Sequence, residues 1–400
     1  MENKFAKRAH FVKSSETREI LKVTERPEVI SFAGGLPAPE LFPLKALKDV
    51  CNAVLNEEGA ASLQYSTTEG YVPLREAINR RMKAVGINAT VENVLITSGS
   101  QQAIDLTGKL FIDEEDTIIC ESPTYLAAIN TFKTYNANFV EVAMDDDGMV
   151  MEELEEKLQK HPNTKFIYTI PDFQNPTGRT LKLDRRKRMI ELANQYDVLI
   201  VEDNPYGAIR FAGEELPPVK HFDTEGRVIY LSTFSKIFTP GLRLGWICAD
   251  QAFIDKYVAF KQTADLHTDS FAQRITAKYM ELYDMEEHIN QIKAVYKERC
   301  AAMLSCVETF FPKNLSYSKP EGGLFIWVEL PEDIDSTHIF TECLKNNVAC
   351  VPGTPFFPNG TKKSTFRLNF SNMSKEKIIE GMKRIGEVLN RELEKETAIL

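Results

Sequence analysis

The stretch Val94-Leu95-Ile96-Thr97-Ser98-Gly99-Ser100-Gln101-Gln102 decides the fold. Four apolar and β-branched residues read as a buried strand, Ser98-Gly99 turns the chain, and Ser100 to Phe111 reads as an amphipathic helix. The same alternation continues downstream. Predicted strands at 117–120, 139–142 and 166–169 precede predicted helices at 123–133, 151–160 and 184–196. A further strand at 198–201 runs into Glu202-Asp203, and strands at 228–231 and 244–248 flank a loop that carries Lys236. Short β-branched runs alternating with amphipathic helices predict an α/β fold, a mostly parallel sheet covered by helices. Ligands of such sheets bind beyond the carboxyl ends of the strands. Ser100, Asn175, Asp203 and Ser235 all follow strands and are expected on one rim.

Outward from this core the pattern changes. Upstream lie predicted helices at 44–58 and 73–85, a short helical stretch at 17–22, and the Gly/Pro-rich segment 31–39, which reads as an ordered loop or lid. Downstream, long helices occupy 252–311. A smaller α+β unit follows, with strands at 324–329 and 365–369 and helices at 336–346 and 375–394. The expected division is a large domain over 41–290 and a smaller one over 291–400, with residues 1–40 packed on the smaller.

Composition narrows the function classes. The chain has 400 residues, 43% hydrophobic and 26% charged, ordinary for a soluble protein with a large core. A net charge of −10 argues against a nucleic-acid partner. The basic run Arg185-Arg186-Lys187-Arg188 reads as a solvated helix face after Asp184 as cap. Seven scattered cysteines without Cys-x-x-Cys suit reduced thiols and a cytoplasmic setting, and Cys120 and Cys248 read as small core residues. The six histidines are scattered, which predicts no metal site. No apolar run is long enough for a membrane span, and the basic residues 1–13 lack the apolar core of a signal peptide.

Five segments carry chemistry. Ser98-Gly99-Ser100-Gln101-Gln102 joins strand to helix; free N–H groups and the positive dipole end suit a phosphate there, although Ser100 reads equally as a helix cap. Ser232-Thr233-Phe234-Ser235-Lys236 with Arg243 offers an amine, hydroxyls and a charged fork, a way to hold a carbonyl cofactor as a Schiff base beside its phosphate. Asp203 ends an apolar strand, where a carboxylate needs a cation or donor; a protonated pyridine nitrogen is one partner and a loop salt bridge another. Asn175 in Asn-Pro-Thr-Gly, together with Tyr206, offers hydrogen bonds to a ring oxygen, and Asn-Pro is also a common turn starter. Tyr125 can stack on an aromatic ring or sit in the core. Arg367, flanked by Phe366 and Leu368, points opposite to both if strand alternation holds. It is then either a carboxylate clamp or an edge-strand arginine in water.

As a set and in this order, Gly34-Gly35-Leu36-Pro37, Tyr65-Ser66-Thr67-Thr68-Glu69-Gly70, Ser98 to Gln102, Asn175-Pro176-Thr177-Gly178, Asp203-Asn204-Pro205-Tyr206, Ser235-Lys236 with Arg243, and Phe366-Arg367-Leu368 resemble the pyridoxal-phosphate-dependent aminotransferases of fold type I, class I/II. The resemblance covers nearly the whole chain. Segment 31–43 and Thr17-Arg18-Glu19-Ile20-Leu21-Lys22 look like the subgroup of 2-aminoadipate, kynurenine and aromatic aminotransferases. The resemblance implies that Lys236 carries the cofactor aldehyde, Tyr125 stacks on the pyridine ring and Asp203 holds its nitrogen. It further implies that Asn175 and Tyr206 hold the ring oxygen, and that Ser100, Gln101, Thr233, Ser235 and Arg243 bind the phosphate; Thr233 stands where similar proteins often have serine. Tyr65 is implied to reach the phosphate of a partner subunit in a homodimer with shared active sites. Asn175 and Arg367 are implied to grip the substrate α-carboxylate, with Gly35 and Arg18 toward its side chain.

The expected reaction moves an amino group from a large amino acid, aromatic or like 2-aminoadipate, to a 2-oxo acid such as 2-oxoglutarate. A β-lyase or decarboxylase on the same residues is the alternative. A dinucleotide-binding sheet lacks its Gly-x-Gly-x-x-Gly, and no Walker or Gly-x-Ser-x-Gly motif is present.

Overall fold

The computed structural model describes residues 4–11 and 26–397; the predicted helical stretch at 17–22, with Arg18, lies outside the described residues. A short strand β1 (Ile30–Ser31) leads, by way of the helices Leu44–Glu57 and Val72–Ala84, to the large sheet. That sheet comprises β2 (Val94–Thr97), β3 (Thr117–Ser122), β4 (Asn138–Asp145), β5 (Gly148–Met149), β6 (Thr164–Thr169), β7 (Leu199–Asp203), β8 (Val228–Thr233) and β9 (Gly245–Cys248). The strand order is β2-β9-β8-β7-β6-β3-β4-β5. β4, β3, β6, β7 and β8 pair in parallel, whereas β9 runs antiparallel to β2 and β8, and β5 folds back on β4. Both faces are covered over β2, β7, β8 and β9, so these strands read as continuous apolar runs, whereas the outer strand β4 is largely half-buried or exposed. Alternation appears only in which core each residue joins. Ile118, Cys120, Phe166, Tyr168 and Val201 pack in one cluster, and Ile119, Ile167 and Ile200 in another.

A second sheet is built later in the chain from β10 (Ser316–Tyr317), β11 (Phe325–Glu329), β13 (Val351–Pro352) and β14 (Thr365–Asn369), in the order β10-β11-β14-β13. Between β11 and β13 lie the helix Ser336–Lys345 and β12 (Val348–Ala349), which pairs in parallel with β1. The Phe32 N–H donates to Ala349 O at 2.8 Å, and the Asn369 N–H donates to Phe32 O at 2.9 Å, so the segment leading to 33–36 is sewn to this sheet. Residue 290 lies inside the single helix Met285–Phe310.

Three expectations are corrected. The helix expected from 123 begins at Leu126: Tyr125 is extended (φ −64°, ψ 117°), and the Thr124 N–H donates to Phe356 O at 2.8 Å instead of entering a helix. The basic run is not a solvated face throughout, because Arg186 is fully buried and bonded to Asp172 Oδ1 at 2.7 Å. Nor is Asp184 the cap; Lys182 precedes the helix Leu183–Gln195, and Asp184 sits in its first turn. All seven cysteines are free and all but Cys51 are buried. Among the described residues no helix is long and apolar enough to cross a membrane, and no group of His, Cys, Asp and Glu could hold a metal ion.

Candidate active site

A cavity of about 500 Å³ opens at the carboxyl ends of the parallel strands. It is lined by Gly35, Ser100, Gln101, Tyr125, Asn175, Asp203, Tyr206, Thr233, Ser235, Lys236, Arg243 and Arg367. The positions singled out in the sequence therefore converge, with two exceptions. Tyr65 is 80% exposed, edge-on to His267 at 5.9 Å, and does not line the cavity. Arg18 lies outside the described residues.

Lys236 follows β8 in a loop whose turn is tied internally. Thr233 Oγ1 donates to Leu244 O at 2.9 Å and accepts from the Ser235 N–H at 3.1 Å, so the threonine hydroxyl is engaged within the loop. Lys236 is half-buried, and its Nζ donates to Gly35 O at 2.8 Å. Desolvation first, and then the charges of Arg367 and Arg243, push its amine down to about 8.

Asp203 is the last residue of β7 and 1% exposed. The Tyr168 hydroxyl donates to its Oδ2 at 2.7 Å, while Oδ1 has no partner. Burial pushes the carboxyl up to about 7 against the opposing pull of that hydrogen bond. A buried carboxylate with one unanswered oxygen calls for a donor or cation.

Arg367 is held on β14 between two rings, 4.1 Å from the Phe325 centroid and 5.0 Å from that of Phe356. Its Nη1 donates to Asn175 Oδ1 at 2.6 Å and its Nη2 to Ala33 O at 2.8 Å, while Nε has no partner. Burial lowers the guanidinium to about 10. The strand alternation read from the sequence brought this arginine to the inner face, and the edge-strand reading falls away. Asn175 Nδ2 donates to the Tyr206 hydroxyl at 3.4 Å. Burial, with Asp203 adding to it, pushes the Tyr125 phenol up to about 12, and burial raises Tyr206 as well.

At the other end of the cavity, Gly99 (φ 76°) precedes the helix Ser100–Phe111, so Ser100 is its first residue and not its cap. A Cβ on Gly99 would meet Arg243 Nη2 at 2.6 Å, and one on Gly245 would meet Gly99 C and Ser100 N at 2.7 Å. Glycine is thus what lets β9 and Arg243 crowd the helix N-terminus, where free N–H groups favour an anion. The Gln101 side chain turns aside and donates to Thr131 Oγ1 at 2.7 Å.

Sequence reasoning missed three supports. Tyr168 sat unmarked in an apolar strand. Glu121, pushed up to about 7 by burial, accepts from Thr169 Oγ1 at 2.6 Å and from Gln174 Nε2 at 3.0 Å, while Gln174 Oε1 accepts from the Thr177 N–H at 3.0 Å; this braces the turn that presents Asn175. The Phe325 and Phe356 rings around Arg367 come from separate loops and strands. A second cavity of about 440 Å³ shares Pro205 and Thr233 as wall, but Arg81 and Arg210 in it are already paired with Glu286 and with Asp172 and Glu321.

The chemistry fits pyridoxal phosphate: an anion-favouring helix end, an amine of lowered basicity, an unanswered carboxylate oxygen for a ring nitrogen, and a clamped guanidinium for a carboxylate. Comparison with known proteins gives the same answer. The family model for aminotransferase class I and II matches residues 34–385. Aromatic-amino-acid aminotransferase 1 of Thermococcus litoralis is 48% identical over 98% of this chain and 96% of its own length. The 2-aminoadipate transaminase of Thermus thermophilus is 40% identical over 96% of each. The crystal structure of Pyrococcus horikoshii kynurenine aminotransferase, in complex with PMP and with KYN as substrate and KYA as product, superposes with a TM-score of 0.95 at 43% identity, covering 98% of both chains.

Proposed function

The chain belongs to the class I and II aminotransferases and uses pyridoxal phosphate, and we propose that it transfers the amino group of a large, chiefly aromatic amino acid to 2-oxoglutarate. The observation that carries this reading is the joint presence, in one cavity, of the Lys236 amine, the unpartnered Asp203 Oδ1 and the Asn175–Arg367 pair. Leu36, Leu126 and Phe356 on the same wall favour an apolar substrate side chain. The relatives named for aromatic amino acids, kynurenine and 2-aminoadipate support a large donor. A distal carboxylate such as that of 2-aminoadipate would be met by Arg18.

In this reading Asp203, through its unpartnered Oδ1, would hold the cofactor's ring nitrogen, Tyr125 would stack on the ring, and Asn175 and Tyr206 would hold its ring oxygen. The N-terminus of the helix Ser100–Phe111, through the backbone N–H groups of Ser100 and Gln101, with Ser235 and Arg243 and the bracing Thr233, would hold the phosphate. Tyr65, exposed in one chain, serves the phosphate of the partner in a homodimer. Gly35 keeps the substrate side clear, since a Cβ there would press the Phe325 ring at 3.3 Å. When bound, pyridoxal phosphate supplies the sink for the electron pair left at the substrate Cα. Arg367 and Asn175 bind and orient the α-carboxylate. Lys236 Nζ would take the proton from the substrate Cα, a role its lowered basicity suits near neutral pH. We place the enzyme in the cytoplasm, on its reduced cysteines. The boundary between the large and small domains we place near residue 290, within the helix Met285–Phe310.

The test is a half-reaction panel followed by absorbance of the bound aldehyde. Tryptophan, tyrosine, phenylalanine or 2-aminoadipate should consume it faster than alanine or aspartate. A clear preference for aspartate overturns the donor assignment.

A further inference from the structure

We propose that Tyr168 is a positioning residue for the electron sink: its hydroxyl occupies one oxygen of Asp203 and so reserves the other for the cofactor's ring nitrogen. This rests on the reading above in which Asp203 takes that nitrogen. β6 and β7 pair in parallel with Tyr168 opposite Val201. Val201 and Asp203 share a face of β7, because side chains alternate along a strand, so the tyrosine and the aspartate emerge on the same side. The Tyr168 ring is 1% exposed and held edge-on by Phe132 at 5.7 Å, and its hydroxyl has a definite place. That place is Asp203 Oδ2, at 2.7 Å.

The choice of residue matters chemically. A lysine or arginine here would neutralise Asp203 and weaken its hold on a protonated ring. A phenol whose ionisation is suppressed by burial and by the neighbouring Asp203 stays a neutral donor. It stabilises the carboxylate, leaves its charge available, and sets the rotation of the carboxyl so that Oδ1 has a fixed direction. Oδ1 is buried with no protein partner, as a group held for a ligand should be. Tyr168 therefore acts through Asp203 without touching substrate.

The experiment uses Tyr168→Phe, which keeps the ring contact with Phe132 and removes the donor. Two quantities are measured: the dissociation constant for pyridoxal phosphate by equilibrium dialysis, and the ¹⁵N resonance of cofactor labelled at the ring nitrogen. The dissociation constant should rise about tenfold, the worth of one hydrogen bond to a charged group. The resonance should move from the protonated toward the neutral pyridine range. A merely structural tyrosine would lower thermal stability and leave the resonance in place; an unmoved resonance therefore overturns the proposal, whatever the dissociation constant. Asp203→Asn separates the two levels. If it abolishes ring protonation while Tyr168→Phe changes nothing, only the role of Tyr168 fails; if it leaves protonation intact, the assignment of Asp203 fails. Should Tyr168→Phe not fold, the unsubstituted holoenzyme still answers: the Tyr168 hydroxyl proton should resonate far downfield and lose that shift in Asp203→Ala, and its absence downfield contradicts the proposal.

Discussion

Arg367→Gln keeps a planar polar side chain on β14 but removes the charge and the fork. In the structure the guanidinium is 6% exposed, clamped between the Phe325 and Phe356 rings, and committed to Asn175 Oδ1 at 2.6 Å and Ala33 O at 2.8 Å. A substrate carboxylate meeting this group gains about two charge-assisted hydrogen bonds, each worth roughly 1.5–3 kcal/mol in so dry a site. Their loss costs about 3–6 kcal/mol, or a fall in kcat/KM of about 10²–10⁴-fold. Stability should change little, about 1 kcal/mol or less, because the desolvation of a buried cation is relieved as its bonds are lost. Steady-state kinetics with phenylalanine, paired with thermal unfolding, measures both. An aromatic amine without a carboxylate supplies the control, since both proteins should treat it alike. A fall of less than tenfold with phenylalanine, or an equal fall with the amine, refutes the clamp.

Other outcomes follow from the same geometry. Lys236 has a folded-state value near 8 against the ordinary 10.5, so it is neutral above about 8; acylation of this lysine in the apo-enzyme should rise through a midpoint near 8, and a midpoint above 10 contradicts its desolvation. The sign for stability is the reverse of a paired lysine: the folded protein binds fewer protons than the unfolded between about 8 and 10.5, so this group's penalty is full below 8 and lifts as pH rises, and Lys236→Met should remove that slope from a pH series of unfolding free energies. Gly245→Ala puts a Cβ 2.7 Å from Ser100 N and should weaken binding of pyridoxal phosphate, read by dialysis, far more than it lowers the urea midpoint. Arg186→Met leaves Asp172 short of a buried partner and should cost about 3–5 kcal/mol in urea unfolding with kcat preserved in the folded fraction; a loss under 1 kcal/mol would mean that Arg210 and Asn204 suffice for that carboxylate.

What was legible in the sequence was what local pattern encodes. The β2 strand and the helix after it could be bounded residue by residue because β-branched run, Ser-Gly turn and amphipathic helix each carry their own signal. Arg367 was legible because alternation fixes the face of a strand residue. The helix at 126 was misplaced by three residues because its would-be first turn is bonded to Phe356, over 200 positions away in the chain, and no local rule sees such a partner. Arg186 was misread for the same reason. Three basic neighbours made it look solvated, whereas Asp172 and the Pro217 carbonyl draw it inward. Tyr168 was invisible as a functional group, since a tyrosine in an apolar strand is indistinguishable from core until its partner on the next strand is known. Lys236, Asp203 and Asn175 pointed to one cavity only jointly; each alone has an ordinary explanation, and their order along the chain made the set specific.

Every role assigned above depends on the Lys236 amine as the covalent anchor of the cofactor. Protein loaded with pyridoxal phosphate should be reduced with borohydride, digested and mapped by mass spectrometry. The added phosphopyridoxyl mass should fall on the peptide containing Ser235-Lys236-Ile237 and disappear in Lys236→Ala. Label on a different lysine, or a coloured protein that takes no label at all, would contradict it.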